Sequence, residues 1–520
     1  MRLVNRICLA SLASLALVGS ALGATDSGSS AAWPGGTAVV TYASDGALAA
    51  ALERHPARVV RRVPSLRVVA VRPAGTLERF ARGLGAEPGI VRIERASARR
   101  SLVEPALAAA ATSLPFQWQY AAVGADRVPP EVAAAAAGVT IAVIDTGADL
   151  AAPDLAAKSP LTYSLRSRTA DVADANGHGT FVAALAAGSS TNGDGIAGVA
   201  GEAQLLVVQA GSPSGSFSDV DEAAAIVYAV DHGARVVNLS LGGPTTSSIE
   251  RRAVEYAVAK GVLLVAAVGN GAQRGNDVEY PAALLQPLGS KGAGGRGLSV
   301  AASNRDGGHA SFSSTGSHVS LAAPGVGVFS ALSGSSSDSR YPRTALPGAL
   351  GGVYGYGSGT SFASPQVAGA AALVWAANPA LRADEVATIL EQTASGGGSW
   401  NAELGYGVLD VAAAVARAQQ VTSAPLAVPA AVPVRVRLTG RRSGNRVALS
   451  WRVTGEVASY RLTVRSGAAR EQVVAGALTG SSATYSLGRG LYRFTVTALD
   501  ADGRALAVSA PWSVRVPKAR

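Results

Sequence analysis

Through the middle of the chain, apolar positions arrive in short continuous runs separated by stretches of helical spacing. Residues 139–144 are apolar and rich in β-branched side chains, which predicts a buried parallel strand ending at Asp145-Thr146-Gly147. Further strands are predicted at 205–210, 236–241 and 262–268, with helices at 219–232 and 248–260. Alternation of this kind implies an α/β fold, a parallel sheet with helices on both faces. A glycine-rich run over 351–359 then gives way to a helical pattern through 377, with Val367, Ala370, Ala371, Val374 and Trp375 on one face.

The flanks follow other periods. Strand patterns at 37–42, 58–62, 66–72 and 89–95 alternate with helical ones at 46–55 and 76–84. That β-α-β-β-α-β order is the ferredoxin-like unit. Residues 101–128 show little periodicity and read as a connector into the central region, 101–418. Residues 419–433, rich in Ala, Pro, Val and Ser, read as a linker. Beyond it, short alternating strands at 434–438, 446–453, 459–465, 490–499 and 510–516 carry Trp451, Tyr460 and Tyr492. Turn signals at Ser443-Gly444 and Asp502-Gly503 complete a small β-sandwich pattern over 434–520.

The first 23 residues read as a secretory signal. Arg2 and Arg6 precede an apolar core at 7–18, too short to span a membrane, and Ala21-Leu22-Gly23 forms a small-x-small cleavage site. No later apolar run reaches the ~18 residues of a transmembrane helix, so a secreted, extracellular protein without a membrane span is expected. Cys8 is the only cysteine of the 520 residues and lies within this leader. The exported chain would hold no disulfide, no cysteine nucleophile and no cysteine-ligated zinc.

Charge divides the chain again. Residues 24–100 carry 12 basic and 6 acidic side chains, residues 101–420 carry 16 and 25, and residues 421–520 carry 15 and 4. The basic balance thus belongs to the flanks. It is no evidence for nucleic-acid binding; the basic C-terminal segment suggests contact with anionic surfaces, which salt would weaken.

Three motifs carry chemistry. Ser361, in Gly359-Thr360-Ser361-Phe362-Ala363-Ser364-Pro365, stands at a helix start, where free N–H groups favour negative charge. Asp145 stands at the C-terminal end of a strand, where α/β sheets place ligand sites. His178, in Asn176-Gly177-His178-Gly179-Thr180, opens another helix. The order Asp145, His178, Ser361 is one of the chain orders of the Ser-His-Asp triad.

Together the three motifs resemble the subtilisin family of serine endopeptidases, over roughly residues 117–418. The resemblance implies a subtilisin-like fold and hydrolysis of protein or peptide substrates through an acyl-enzyme. Ala266-Ala267-Val268-Gly269-Asn270 resembles the family's oxyanion segment, with Asn270 as donor opposite the Ser361 N–H. Ser240-Leu241-Gly242-Gly243 resembles the edge that pairs with extended substrate. Residues 24–100 resemble the inhibitory propeptide, which would act as an intramolecular inhibitor of a self-processing zymogen. The C-terminal strands resemble a fibronectin type III domain.

The chemistry requires no cofactor. The loop 188–198, with Asn192 and Asp194, matches one that holds structural calcium in many family members, although it offers few of the six to eight oxygens calcium needs. Asp154 reads as structural. The resemblance implies that Glu279, before Tyr280-Pro281, lies at the base of the primary specificity pocket, where a carboxylate would favour a basic residue before the cut. Arg99-Arg100-Ser101 offers such a bond, with residues 106–113 the alternative place for maturation. An aspartic protease is excluded in practice, since the only second Asp-Ser/Thr-Gly, at Asp26-Ser27-Gly28, has no strand before it. A non-catalytic binding protein on the same scaffold would lack a triad member, and none is missing.

Overall fold

The computed structural model describes residues 36–104, 116–349, 351–421, 435–454, 459–467, 472–478, 481–499 and 505–517. The expected leader, nearly all of the linker, and the alternative maturation stretch at 106–113 lie outside these residues.

Seven parallel strands form the central sheet. Their order is Leu321–Pro324, Gly297–Ser303, Leu263–Ala267, Val236–Leu239, Thr140–Asp145, Gln204–Gln209, Leu161–Ser164. Thr140–Asp145 sits inside, paired with Val236–Leu239 and Gln204–Gln209, which is why its residues are nearly all buried and its sequence is a continuous apolar run. Helices cover both faces: His178–Ala187 and Thr360–Ala377 in one core, Asp219–Asp231 and Ser248–Ala259 in the other.

Thr360–Ala377 departs from the one-sided face read from the sequence. Every residue from Thr360 to Trp375 is buried, so this helix runs through the core and its small side chains admit close neighbours on all sides. Pro365 is its sixth residue rather than part of a first turn. The N–H that proline lacks would have met the Ser361 carbonyl, and the Ser240 hydroxyl donates to that carbonyl instead, at 2.8 Å.

Ahead of the central sheet lies a four-stranded antiparallel sheet, ordered Ala57–Val63, Val68–Pro73, Ala38–Tyr42, Ile90–Arg95. Helices Asp45–Arg54 and Leu77–Leu84 pack on one face through Ala38, Val40, Val69 and Val71. Val39, Val68 and Ala70 point the other way, into the core beneath Asp219–Asp231 and Ser248–Ala259. Alone, this small unit would expose that second apolar face to water. Arg61 reinforces the docking, donating to Asp221 at 2.8 Å and to the Leu165 carbonyl at 2.9 Å.

The C-terminal strands form two antiparallel sheets around Leu449, Trp451, Leu462, Phe494 and Val496. Gly444-Asn445 turns the Arg435–Ser443/Arg446–Thr454 hairpin. Gln472–Leu478, Ser482–Ser486 and Ala505–Val508 are additional strands that the alternation did not reveal. No helix among the described residues is long and apolar enough to cross a membrane.

Candidate active site

Asp145 ends its strand inside the molecule, and His178 is the first residue of its helix. Close approach of these two elements depends on glycine: a Cβ on Gly179 would overlap the Gly147 carbonyl. Gly177, with φ +96°, turns the chain into the helix in a conformation other residues rarely adopt. His178 Nδ1 lies 2.7 Å from Asp145 Oδ1, which also accepts the Thr146 N–H at 2.7 Å. Both side chains are fully buried, and His178 Nε2 has no hydrogen-bond partner.

Asp174 is a residue that motif reading missed. Its carboxylate accepts from Thr146 Oγ1 (2.8 Å), Gly177 N (2.9 Å), Thr180 N (2.8 Å) and Thr180 Oγ1 (2.6 Å). It thereby ties the Asp145 strand end to the start of the His178 helix. Its place just ahead of a Gly-His-Gly-Thr helix start, where acidic side chains cap free N–H groups, is the signal that could have found it.

Asn270 follows its strand, and its side-chain oxygen accepts from Thr360 N (3.0 Å) and Thr360 Oγ1 (2.7 Å). With the oxygen so held, the buried Nδ2 is left without a hydrogen-bond partner. A Cβ built on Gly359 would lie 3.4 Å from Nδ2 and would overlap the Leu102 carbonyl oxygen.

Leu102 belongs to a segment that the sequence left as connector. Ala98–Ser101 is a strand, so the boundary expected between 100 and 101 falls inside it. It pairs antiparallel with Leu241–Gly242 on one side (Ser101 opposite Leu241, Arg100 opposite Gly242) and with Ser216–Ser218 on the other. The Leu102 N–H then donates to Ser361 Oγ at 3.1 Å, and the Glu104 N–H donates to the Ser358 carbonyl at 2.9 Å. The chain thus crosses the serine in extended form. Ser361 Oγ donates to the Ser240 carbonyl at 2.9 Å, so its proton is directed there rather than to His178.

A cut after Arg100, as the Arg99-Arg100-Ser101 bond suggested, would need Arg100 beside Ser361. Leu102 occupies that position, 1% exposed, and its side chain shares the floor at Gly242 with the Glu279 carboxylate. Glu279 is buried but serves Arg100, at 2.7 Å. Burial pushes Glu279 above the usual carboxylate range, while Arg100 pulls it down. The physical reason is fit: the pocket beside Ser361 takes the apolar Leu102, burial worth about 2 kcal/mol, whereas the Arg100 side chain is about half exposed and reaches the acid from outside.

The loop with Asn192 and Asp194 borders a concavity of about 400 Å³, together with Gln117 and Ile196. Asn192 Oδ1 accepts from Asp194 N at 3.3 Å. Asp154 lies buried beneath the loop, taking the Ile196 N–H (2.6 Å) and the Tyr354 hydroxyl (3.1 Å), and burial pushes its carboxyl up to about 6. These are oxygen donors around a buried carboxylate held only by neutral groups, a set suited to a hard cation. Among the described residues, no three His, Cys, Asp or Glu side chains converge as a metal site.

Comparison with known proteins agrees with this geometry. Over 264 residues, 51% of the chain, the sequence is 38% identical to the thermophilic serine proteinase of Bacillus sp. (strain AK1), spanning 58% of that protein's length. It is 36% identical to thermitase of Thermoactinomyces vulgaris over 49% of this chain and 81% of thermitase. The crystal structure of fervidolysin from Fervidobacterium pennivorans, described as a keratinolytic enzyme related to subtilisin, shares the fold. It superposes with a TM-score of 0.64 at 22% identity, covering 91% of this chain and 88% of the other. Residues 136–407 match the peptidase S8 domain, and the chain belongs to the subtilase family.

Proposed function

We propose that this chain is a secreted subtilisin-type serine endopeptidase, made as a zymogen that cuts itself between Leu102 and Val103. The observation that carries the reading is the Leu102 N–H on Ser361 Oγ, directly after a strand paired to both rims of the cleft. Ser361 attacks the Leu102 carbonyl carbon once its proton is passed to His178 Nε2. Asp145 holds the opposite ring nitrogen and stabilises the cation. The developing oxyanion is met by Asn270 Nδ2 and the Ser361 N–H. His178 returns the proton to the Val103 amine, the acyl-enzyme on Leu102 is released by water, and the residues before the cut remain as an inhibitor docked through Val39, Val68, Ala70 and Arg61.

Two measurements on the purified protein test this reading. A fluorophosphonate should label Ser361, and mass spectrometry should find Val103 as the mature N-terminus. A first residue of Ser101 would restore the basic-preference reading, a start within 106–113 would move the cut downstream, and absence of labelling would remove the nucleophile assignment.

The same reading includes a structural calcium ion at the Asn192–Asp194 loop, held by oxygens of Asn192, Asp194, Gln117 and Asp154. The ion would neutralise buried acid and fasten the loop. Chelation should lower the melting temperature by several degrees, and added calcium should restore it. An unchanged melting curve in chelator counts against the site.

A further inference from the structure

We infer that the cleft holds a pocket selecting arginine at the fourth residue before the scissile bond, built from Glu222, Glu250 and Gly243. The inference rests on the endopeptidase reading and adds a substrate class to it. With Leu102 as the residue before the cut, Arg99 is the fourth. Its side chain is fully buried, as are those of Glu222 and Glu250. Arg99 Nε lies 3.1 Å from Glu222 Oε2, and an outer guanidinium nitrogen lies 2.9 Å from Glu250 Oε1. The other outer nitrogen donates to the Ala98 carbonyl at 3.1 Å. Asp219, also buried, accepts the Ser97 N–H at 2.9 Å and adds a third carboxylate to the surroundings.

Several features make this a reading pocket rather than an incidental ion pair. Two carboxylates reach the guanidinium from two different helices, in the first turns of Asp219–Asp231 and Ser248–Ala259, where the helix dipoles favour negative charge. Three buried carboxyl groups, Asp219, Glu222 and Glu250, surround one arginine; burial pushes Asp219 and Glu222 above the usual carboxylate range while Arg99 pulls them down, and Glu222 Oε1 remains without a hydrogen-bond partner. Gly243 leaves room for the stem, because a Cβ there would stand 3.2 Å from Arg99 Cδ and 2.5 Å from the Ala98 carbonyl. Glu222 and Glu250 stand on helices, and Gly243 directly follows the Leu241–Gly242 strand, so all three lie outside the departing segment and the pocket stays after Arg99 leaves. The planar fork hydrogen-bonds Glu222 and pairs electrostatically with Glu250 at the same time, which a single ammonium does less well. An apolar residue would leave both acids buried without a cation.

The test uses the full chain after it has matured, with peptides acyl-X-Ala-Ala-Leu carrying an amide reporter, X being Arg, Lys, citrulline or Ala. The expected kcat/KM for Arg exceeds that for Ala by about 100-fold, with Lys between and citrulline, which keeps the shape without the charge, near Ala. Glu222→Gln and Glu250→Gln should each reduce the Arg-to-Ala ratio about tenfold or more. Equal kcat/KM for Arg and Ala in the native enzyme overturns the pocket alone, and needs no variant to fold. A preference that persists undiminished in both variants overturns its assignment to these residues. Failure to cleave any of the peptides overturns the endopeptidase reading and this inference with it.

Discussion

Ser361→Ala should leave the chain whole, with the Leu102–Val103 bond intact, and lower turnover of added peptides by about 10⁶-fold. The side chain lost is small, but both hydrogen bonds of its hydroxyl go with it: the one received from Leu102 and the one given to the Ser240 carbonyl. The fold should survive. The Ser240 hydroxyl still reaches the residue-361 carbonyl freed by Pro365, and the helix Thr360–Ala377 is held by its buried length. The uncut protein should therefore be compact, with residues 36–104 docked as in the wild type. Gel electrophoresis of the variant from a protease-deficient host reads the first part and peptide hydrolysis the second. Wild-type processing in that host would show that another group cuts the bond. A variant that does not fold, seen by circular dichroism, would show that Ser361 supports structure beyond its two hydrogen bonds.

The Asp145, His178 and Ser361 motifs were legible because each sits where a regular element begins or ends. An apolar run stops at Asp145, and glycine-flanked helix starts present His178 and Ser361. The order of the ferredoxin-like elements was legible for a similar reason, since strands such as Ala38–Tyr42, buried on both faces, announce themselves as apolar runs. What crosses the cleft was not. Ser216–Ser218 and Leu241–Gly242 are three and two residues long, too short for any period. Strand addition uses backbone groups, and the pockets that take Arg99 and Leu102 are built by residues far along the chain, so the register of Ala98–Ser101 cannot be read from its own residues. Arg99 and Arg100 look equivalent in the sequence, yet one is fully buried and the other about half exposed. The difference comes from Glu222 and Glu250, more than 120 residues away, and period-2 alternation places the two side chains on opposite sides of the strand. Asp174 escaped in its bridging role because Thr146 becomes its neighbour only when the Asp145 strand end meets the His178 helix, whereas its bonds to Gly177 and Thr180 are local.

Asn270→Ala should lower kcat by about 10²- to 10³-fold while KM for a short peptide changes little. The side chain is oriented before any substrate arrives. Thr360 N and Oγ1 both hold its oxygen, so the amide can present only its N–H groups toward the Gly359–Ser361 turn. There Nδ2 is buried with no hydrogen-bond partner, close to where Gly359 faces the Leu102 carbonyl. A buried donor left unpaired is costly, and the charge that forms on the carbonyl oxygen during attack is the group that would satisfy it. The stabilisation therefore appears in the transition state rather than in binding, and this places the loss in kcat. Asn270→Asp separates this account from simple packing: it keeps the shape, removes the donors and sets a negative charge where the oxyanion forms, so it should be at least as slow as alanine. Equal kcat for wild type and Asn270→Ala would show that the Nδ2 group does not face the reacting carbonyl. A loss carried entirely by KM would show that Asn270 binds substrate without favouring the transition state.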